Sequence, residues 1–329
     1  MSLAVRVTLL RLLTRIDLAR FGPKLAKALV TRSQQVKIRR SFVLRRTAAA
    51  DEAVALYRRL VQDRPGRHEV GLARALVAQG SVPDNRTVAS ALAQGREAIG
   101  YVENATDRHG LVVLAAAQLM VAMQLRSDAP GDALPVVEQA RETWLRCAPL
   151  DAGERAALAR SLTVLGYCRA VLGEPAEALA AREEAVELFR RLPARTRLRH
   201  LPARLEAMTG LADSLATQGR WAEALTLTTG AREDLTFVSR WEPLRFRPAL
   251  GRLLFVIARC HAGLGEPEAA VAAAEEAVGH YRWLAEQDPD RHHGGLVVAL
   301  RTLAGTLKDL GRYEDAAWAT GEAEAVESR

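Results

Sequence analysis

The sequence predicts an all-α fold built from tandem helical hairpins, and three observations carry that prediction. The segment "LGEPAEALAAREEAV", Leu172 to Val186, returns 92 residues later as "LGEPEAAVAAAEEAV", Leu264 to Val278. Glycines recur at half that interval, with Gly173, Gly219, Gly265 and Gly311 each 46 residues apart. A fixed period of this size marks a repeat architecture. The composition agrees: 60 of the 329 residues are Ala and only 5% are aromatic, a balance that favours helix almost throughout.

The chain opens on a basic segment, residues 1–46. Residues 1–47 hold twelve Arg or Lys against one acid, Asp17, a charge of +11, whereas the remainder carries −4. Leu9, Leu12, Leu13, Ile16 and Ala19 keep helical spacing, with Arg11, Arg15 and Arg20 on the other side. Gly22–Pro23 is expected to break this helix, and a second basic helix to follow toward Arg46. Three readings stay open for the segment. It caps the first repeat, lies on an anionic membrane surface, or contacts nucleic acid or an acidic partner. Arg6, Arg11 and Arg15 interrupt any apolar core that a cleaved signal peptide needs.

Residues 47–329 are expected to form the repeat array. The first copies are weak: the pairs Ala53 with Tyr57, Ala98 with Val102 and Ala140 with Trp144 follow one another at 45 and 42 residues. The four later copies are clear. Each reads helix, glycine turn, helix, because Gly takes positive φ where a helix ends. Pro175 and Pro267 stand at the start of the second helix, where a missing N–H costs little. Small residues fill three columns: Gly166, Ala212, Ala258 and Ala304; Ala178, Ala224, Ala270 and Ala316; Ala185, Ala231, Ala277 and Ala323. Small side chains let ridges settle into grooves. One turn beyond the last column comes a large residue, Phe189, Leu235 or Tyr281, expected between neighbouring hairpins. Six to seven hairpins with a period near 46 follow.

These columns resemble the tetratricopeptide repeat. Leu165–Gly166, Gly173, Ala178 and Ala185 sit at its Leu-Gly, Gly, Ala and Ala positions, and Trp221 and Tyr313 fall where it often has an aromatic residue. The 46-residue unit exceeds the standard 34 and is similar to the longer kinesin-light-chain-like and actinobacterial varieties. The resemblance covers roughly residues 48–329. It implies a right-handed α-solenoid whose concave groove, lined by the first helix of each pair, binds peptides or proteins. Such arrays serve many partners, so it is unspecific as to function.

Carried onto this sequence, the groove positions lie six, ten and thirteen residues before each turn glycine. They are Tyr167, Thr163 and Arg160; Asp213, Thr209 and Glu206; Arg259, Phe255 and Arg252; and Gly305, Arg301 and Val298, with Lys308 one turn deeper. Two readings stay open: a solvated face, or a basic, partly aromatic patch of Arg252, Phe255, Arg259, Arg301 and Lys308. Guanidinium groups suit the carboxylates of an acidic peptide.

Other chemistry is not indicated. The "RH" pairs at Arg67–His68, Arg108–His109, Arg199–His200 and Arg291–His292 recur with the repeat, which argues against one converging metal site. Cys147, Cys168 and Cys260 form no CxxC pair. Phosphate loops, nucleophile elbows and HExxH motifs are missing from the sequence. The expectation is a non-catalytic scaffold or adaptor without cofactor. It is expected in the cytoplasm, or at a membrane periphery if the basic segment binds lipid. A regulator whose basic segment touches DNA or membrane while the array senses a peptide is the alternative, and a second copy of the chain is a further candidate partner.

Overall fold

A computed structural model describes residues 3–34, 40–81, 87–197, 199–240 and 243–328, and sixteen helices occur among them. They are α1 (Leu3–Ile16), α2 (Leu18–Ser33), α3 (Arg40–Asp63), α4 (Glu69–Gly80), α5 (Val88–Val102), α6 (Arg108–Leu125), α7 (Pro130–Arg146) and α8 (Ala152–Val171). The second half holds α9 (Pro175–Arg190), the short α10 (Ala194–Arg197), α11 (Leu201–Thr217), α12 (Trp221–Ser239), α13 (Pro243–Gly263), α14 (Pro267–Gln287), α15 (Pro289–Asp309) and α16 (Tyr313–Glu327). Two compact units divide the chain: Met1–Glu174 with Arg191–Thr196, and Pro175–Arg190 with Arg197–Arg329.

Local chemistry fixes where the helices stop. Gly173, Gly219, Gly265 and Gly311 all adopt φ between +75° and +85°. In each case the glycine N–H donates three residues back and the next N–H five residues back, as Gly265 to Ala262 O (3.1 Å) and Glu266 to His261 O (2.9 Å). These are Schellman closures, which satisfy carbonyls that the ending helix leaves orphaned. Helix starts are set by side chains. Asp151 and Glu154 form a reciprocal capping box on α8, and Asp107 accepts from His109 and Gly110 N–H at the head of α6. Pro175 and Pro267 open α9 and α14 as the sequence predicts.

In the first unit α2 and α3, α4 and α5, and α6 and α7 form successive hairpins, with α1 packed on α2 and α8 on α7. The position of residue 47 lies inside α3. Val7, Leu10, Leu29, Leu60, Leu72 and Leu76 belong to the core here. α6 has the length and hydropathy of a membrane span, yet it lies against α4, α5, α7 and α8, and eleven of its residues are buried. In the second unit α9 packs on α11, and α11 and α12, α13 and α14, and α15 and α16 are the hairpins. The three small columns are buried in every copy, and Phe189, Leu235 and Tyr281 stand at 5% exposure or less. Burying the large residue of one hairpin against small residues of its neighbour stabilises the stack in proportion to the apolar area removed from water.

The amino-terminal segment departs from expectation twice. The break between its helices falls at Asp17, whose carboxylate caps α2 by accepting from Arg20 N–H at 2.9 Å. Pro23 then lies within the second turn of α2, at the cost of one backbone bond. The buried edge of α1 is Val7 and Leu10, whereas Leu9, Leu12 and Ile16 point outward. Lys37, Ile38 and Arg39, part of the predicted second basic helix, lie outside the described residues.

Candidate functional site

The first helices of the second unit, α11, α13 and α15, lie side by side and carry the predicted groove positions. Asp213 on α11 and Arg259 on α13, one repeat apart, are brought together: Arg259 Nη1 donates to Asp213 Oδ1 at 2.6 Å, and Nη2 to Thr217 Oγ1 at 3.2 Å. The second carboxylate oxygen lies 3.5 Å from Arg182 Nη1. Arg182 comes from α9, a second helix, and is only 5% exposed. It reaches the Gly210 carbonyl at 2.7 Å and Ser214 Oγ at 2.6 Å. Asp213 therefore sits between two guanidiniums, one buried and one open to solvent. A charge-assisted pair of this kind is stronger than a neutral hydrogen bond.

Arg252, Phe255 and Arg259 occupy successive turns of α13. The Phe255 ring stacks on Tyr281, with centroids 5.5 Å apart and planes within 4°. Burial pushes the Tyr281 hydroxyl up from its ordinary range, and Arg252 acts the other way. The phenol donates to Pro248 O at 3.2 Å. On α15, Arg301 pairs with Glu327 at 2.7 Å, Val298 is exposed and Gly305 leaves open space. Arg252 and Lys308 are exposed cations that form no ion pair among the described residues. On α11, Thr209 turns back onto Leu205 O at 2.8 Å, and Glu206 is half-buried.

In the first unit the predicted positions face another first helix. Arg160 Nη2 lies 3.0 Å from Met123 Sδ, and the Arg126 guanidinium stands 5.7 Å from the Tyr167 ring centroid. Both contacts join α8 to α6. Thr163 is buried and bonds to Ala159 O. The unit thus gives Arg160 and Tyr167 partners on α6 rather than on each other.

Arg182 escaped sequence reading although a signal existed. It stands nine residues after its turn glycine, where the other copies have Thr228, Ala274 and Thr320. A long cation in a column of small residues must find partners when buried. The "RH" pair also gains a role in one copy. Arg108 bonds to Glu154 at 2.6 Å and Pro149 O at 3.0 Å, tying the head of α6 to that of α8, while His109 Nδ1 lies 3.2 Å from Arg74. No group of three His, Cys, Asp or Glu suited to a metal ion occurs among the described residues. The three thiols are buried, and burial pushes each above its ordinary range, so they pack as small apolar groups.

No family model matches the sequence, and no curated protein matches it either. Solved structures do. The quorum sensor NprR from B. thuringiensis, in its apo form, is 14% identical with a TM-score of 0.58, over 98% of this chain and 86% of that one. A Rap protein complexed with Competence and Sporulation Factor is 14% identical with a TM-score of 0.53, over 99% and 86%. A signal-transduction ATPase (STAND) protein from Pyrococcus horikoshii, with a tetratricopeptide repeat sensor, is 12% identical with a TM-score of 0.56, over 98% of this chain and 47% of that one. With the Schellman glycines and the buried alanine columns, these likenesses identify the fold: the chain is built of tetratricopeptide-type helical repeats.

Proposed function

We propose that the face of α11, α13 and α15 binds an acidic segment of a protein or peptide, and that the chain acts as a non-catalytic scaffold or sensor. The observation that carries this reading is the pairing of Arg259 with Asp213 on a row of helices that also exposes Arg252 and Lys308, cations that form no ion pair among the described residues. Asp213 stands as an internal carboxylate in the position a ligand's carboxylate would take, and guanidinium groups bind such groups with two parallel bonds. Phe255, stacked on Tyr281, offers an apolar surface within the same row. The fold supports the reading through proteins of like architecture that are a quorum sensor, a protein with a tetratricopeptide repeat sensor and a Rap protein complexed with Competence and Sporulation Factor. Polar groups on the face are the cations Arg252, Arg259, Arg301 and Lys308, the carboxylates Asp213 and Glu206 and the hydroxyls of Thr209 and Thr217, which hold and orient a partner.

The test uses the full chain and an array of acidic peptides, each with a free or an amidated carboxyl terminus. Paired charge reversal, Arg252→Glu with Lys308→Glu, is expected to weaken the best binder by about tenfold or more. Asp213→Asn, which releases Arg259, is expected to tighten it. Affinities unchanged by both variants would overturn the reading.

A further inference from the structure

We propose that α1 is a docking helix that lays its outer edge on an anionic lipid surface. This inference concerns the first unit and does not depend on the peptide-binding reading. Val7 and Leu10 turn inward onto the core, while Val5, Leu9, Leu12 and Ile16 are 55%, 44%, 55% and 81% exposed. Their spacing of four, three and four residues sets them in one stripe along the helix. Ala4, Val5, Thr8, Leu9 and Leu12 line a shallow apolar depression on that edge. The helix is anchored on its inner edge by buried Val7 and Leu10 and by the pairing of Arg11 with Glu52 of α3.

Charge says what fits it. α1 contains no acidic residue, and Arg6 and Arg15 stand on either side of the stripe, both exposed. The nearest acid in sequence, Asp17, is engaged in capping α2. In the same unit, a second cleft between α2 and the end of α3 is lined by Ala19, Arg20, Lys24, Arg64, Arg67 and His68, with Asp63 as the carboxylate in its lining, 3.8 Å from Arg64. Aliphatic side chains bordered by cations match the boundary between acyl chains and negative headgroups, where both are satisfied at once. A nucleic acid would neutralise the cations but leave four aliphatic side chains in water, so it fits the same surface less well.

Vesicle flotation with the full chain tests the proposal, using phosphatidylcholine alone and phosphatidylcholine mixed with phosphatidylglycerol. Binding is expected to the mixed vesicles only, and to weaken as salt rises. Leu9→Ser with Leu12→Ser and Ile16→Ser is expected to weaken it about tenfold or more, as is Arg6→Glu with Arg15→Glu. These side chains are exposed, so the thermal midpoint and helical signal should not change. Equal binding to both vesicle types, or retention by the serine variant, would overturn the proposal. It would equally be overturned if duplex DNA bound through the arginines with no need for the leucines. Loss of chain self-association, rather than of vesicle binding, in the serine variant would assign the stripe to a second copy instead.

Discussion

The ring of Tyr281 stands where a side chain on Gly295 would have to be: a methyl there would lie 2.2 Å from Cε1. Gly251 meets the other edge of the ring, at 2.4 Å from Cε2, so the tyrosine of α14 is held between α13 and α15. Tyr57 and Gly71 repeat the arrangement in the first unit, again fourteen residues apart, at 2.5 Å. Gly295→Ala should therefore destabilise the chain by about 1–3 kcal/mol in urea unfolding, because a packed interior resists added volume. Combining it with Tyr281→Leu should recover part of the loss. Gly279→Ala on the solvent face of α14, where nothing stands within 4 Å, should stabilise by about 0.5–1 kcal/mol.

The repeat was legible from the sequence because its determinants are local and multiplied. Gly173, Gly219, Gly265 and Gly311 each end a helix by the same two backbone bonds, and four identical solutions at one interval are hard to miss. The buried columns follow, since Ala185, Ala231, Ala277 and Ala323 meet the same geometry in each copy. The face of α1 was not legible. Leu3, Val7 and Leu10 form one apolar edge and Val5, Leu9, Leu12 and Ile16 another, so periodicity alone does not choose which one faces α2. The ring of contacts around Asp213 was half legible: Arg259 falls one repeat away, whereas Arg182 arrives from a different helix by tertiary packing.

Removing either partner of the Asp213–Arg259 pair should have unequal consequences. Both side chains are about two-fifths exposed, so a double-mutant cycle should give a coupling of about 0.2–1 kcal/mol that shrinks with salt. Asp213→Asn should cost more than Arg259→Gln, because it also removes the carboxylate that stands 3.5 Å from buried Arg182. Equal costs, measured by urea unfolding, would show that Arg182 does not depend on Asp213.

Two histidines set a pH dependence. Burial lowers the pKa of His280, reinforced by the guanidinium of Arg247, and the opposing pull of Glu276 does not win. Burial, then Arg74, does the same to His109. Both are thus harder to protonate folded than unfolded, where histidine titrates near about 6.5. Below that pH the unfolded chain binds more protons, so this contribution is complete above about pH 6.5 and lost as pH falls toward the lowered folded value. The variant His109→Gln with His280→Gln should show a smaller drop in urea midpoint between neutral pH and about pH 5.5 than the parent chain. Identical drops would place the acid sensitivity in groups other than these two histidines.

The buried thiols give the molecule an internal gauge of its own opening. Cys147 and Cys168 lie in the first unit and Cys260 alone in the second, each screened from reagents and held protonated by its surroundings. A thiol probe can label them only while the surrounding helices part, so the rate at each cysteine reads the breathing of its own half. A partner seated on α13, the helix that bears Cys260, would register as slowed labelling there without any residue of the chain being replaced.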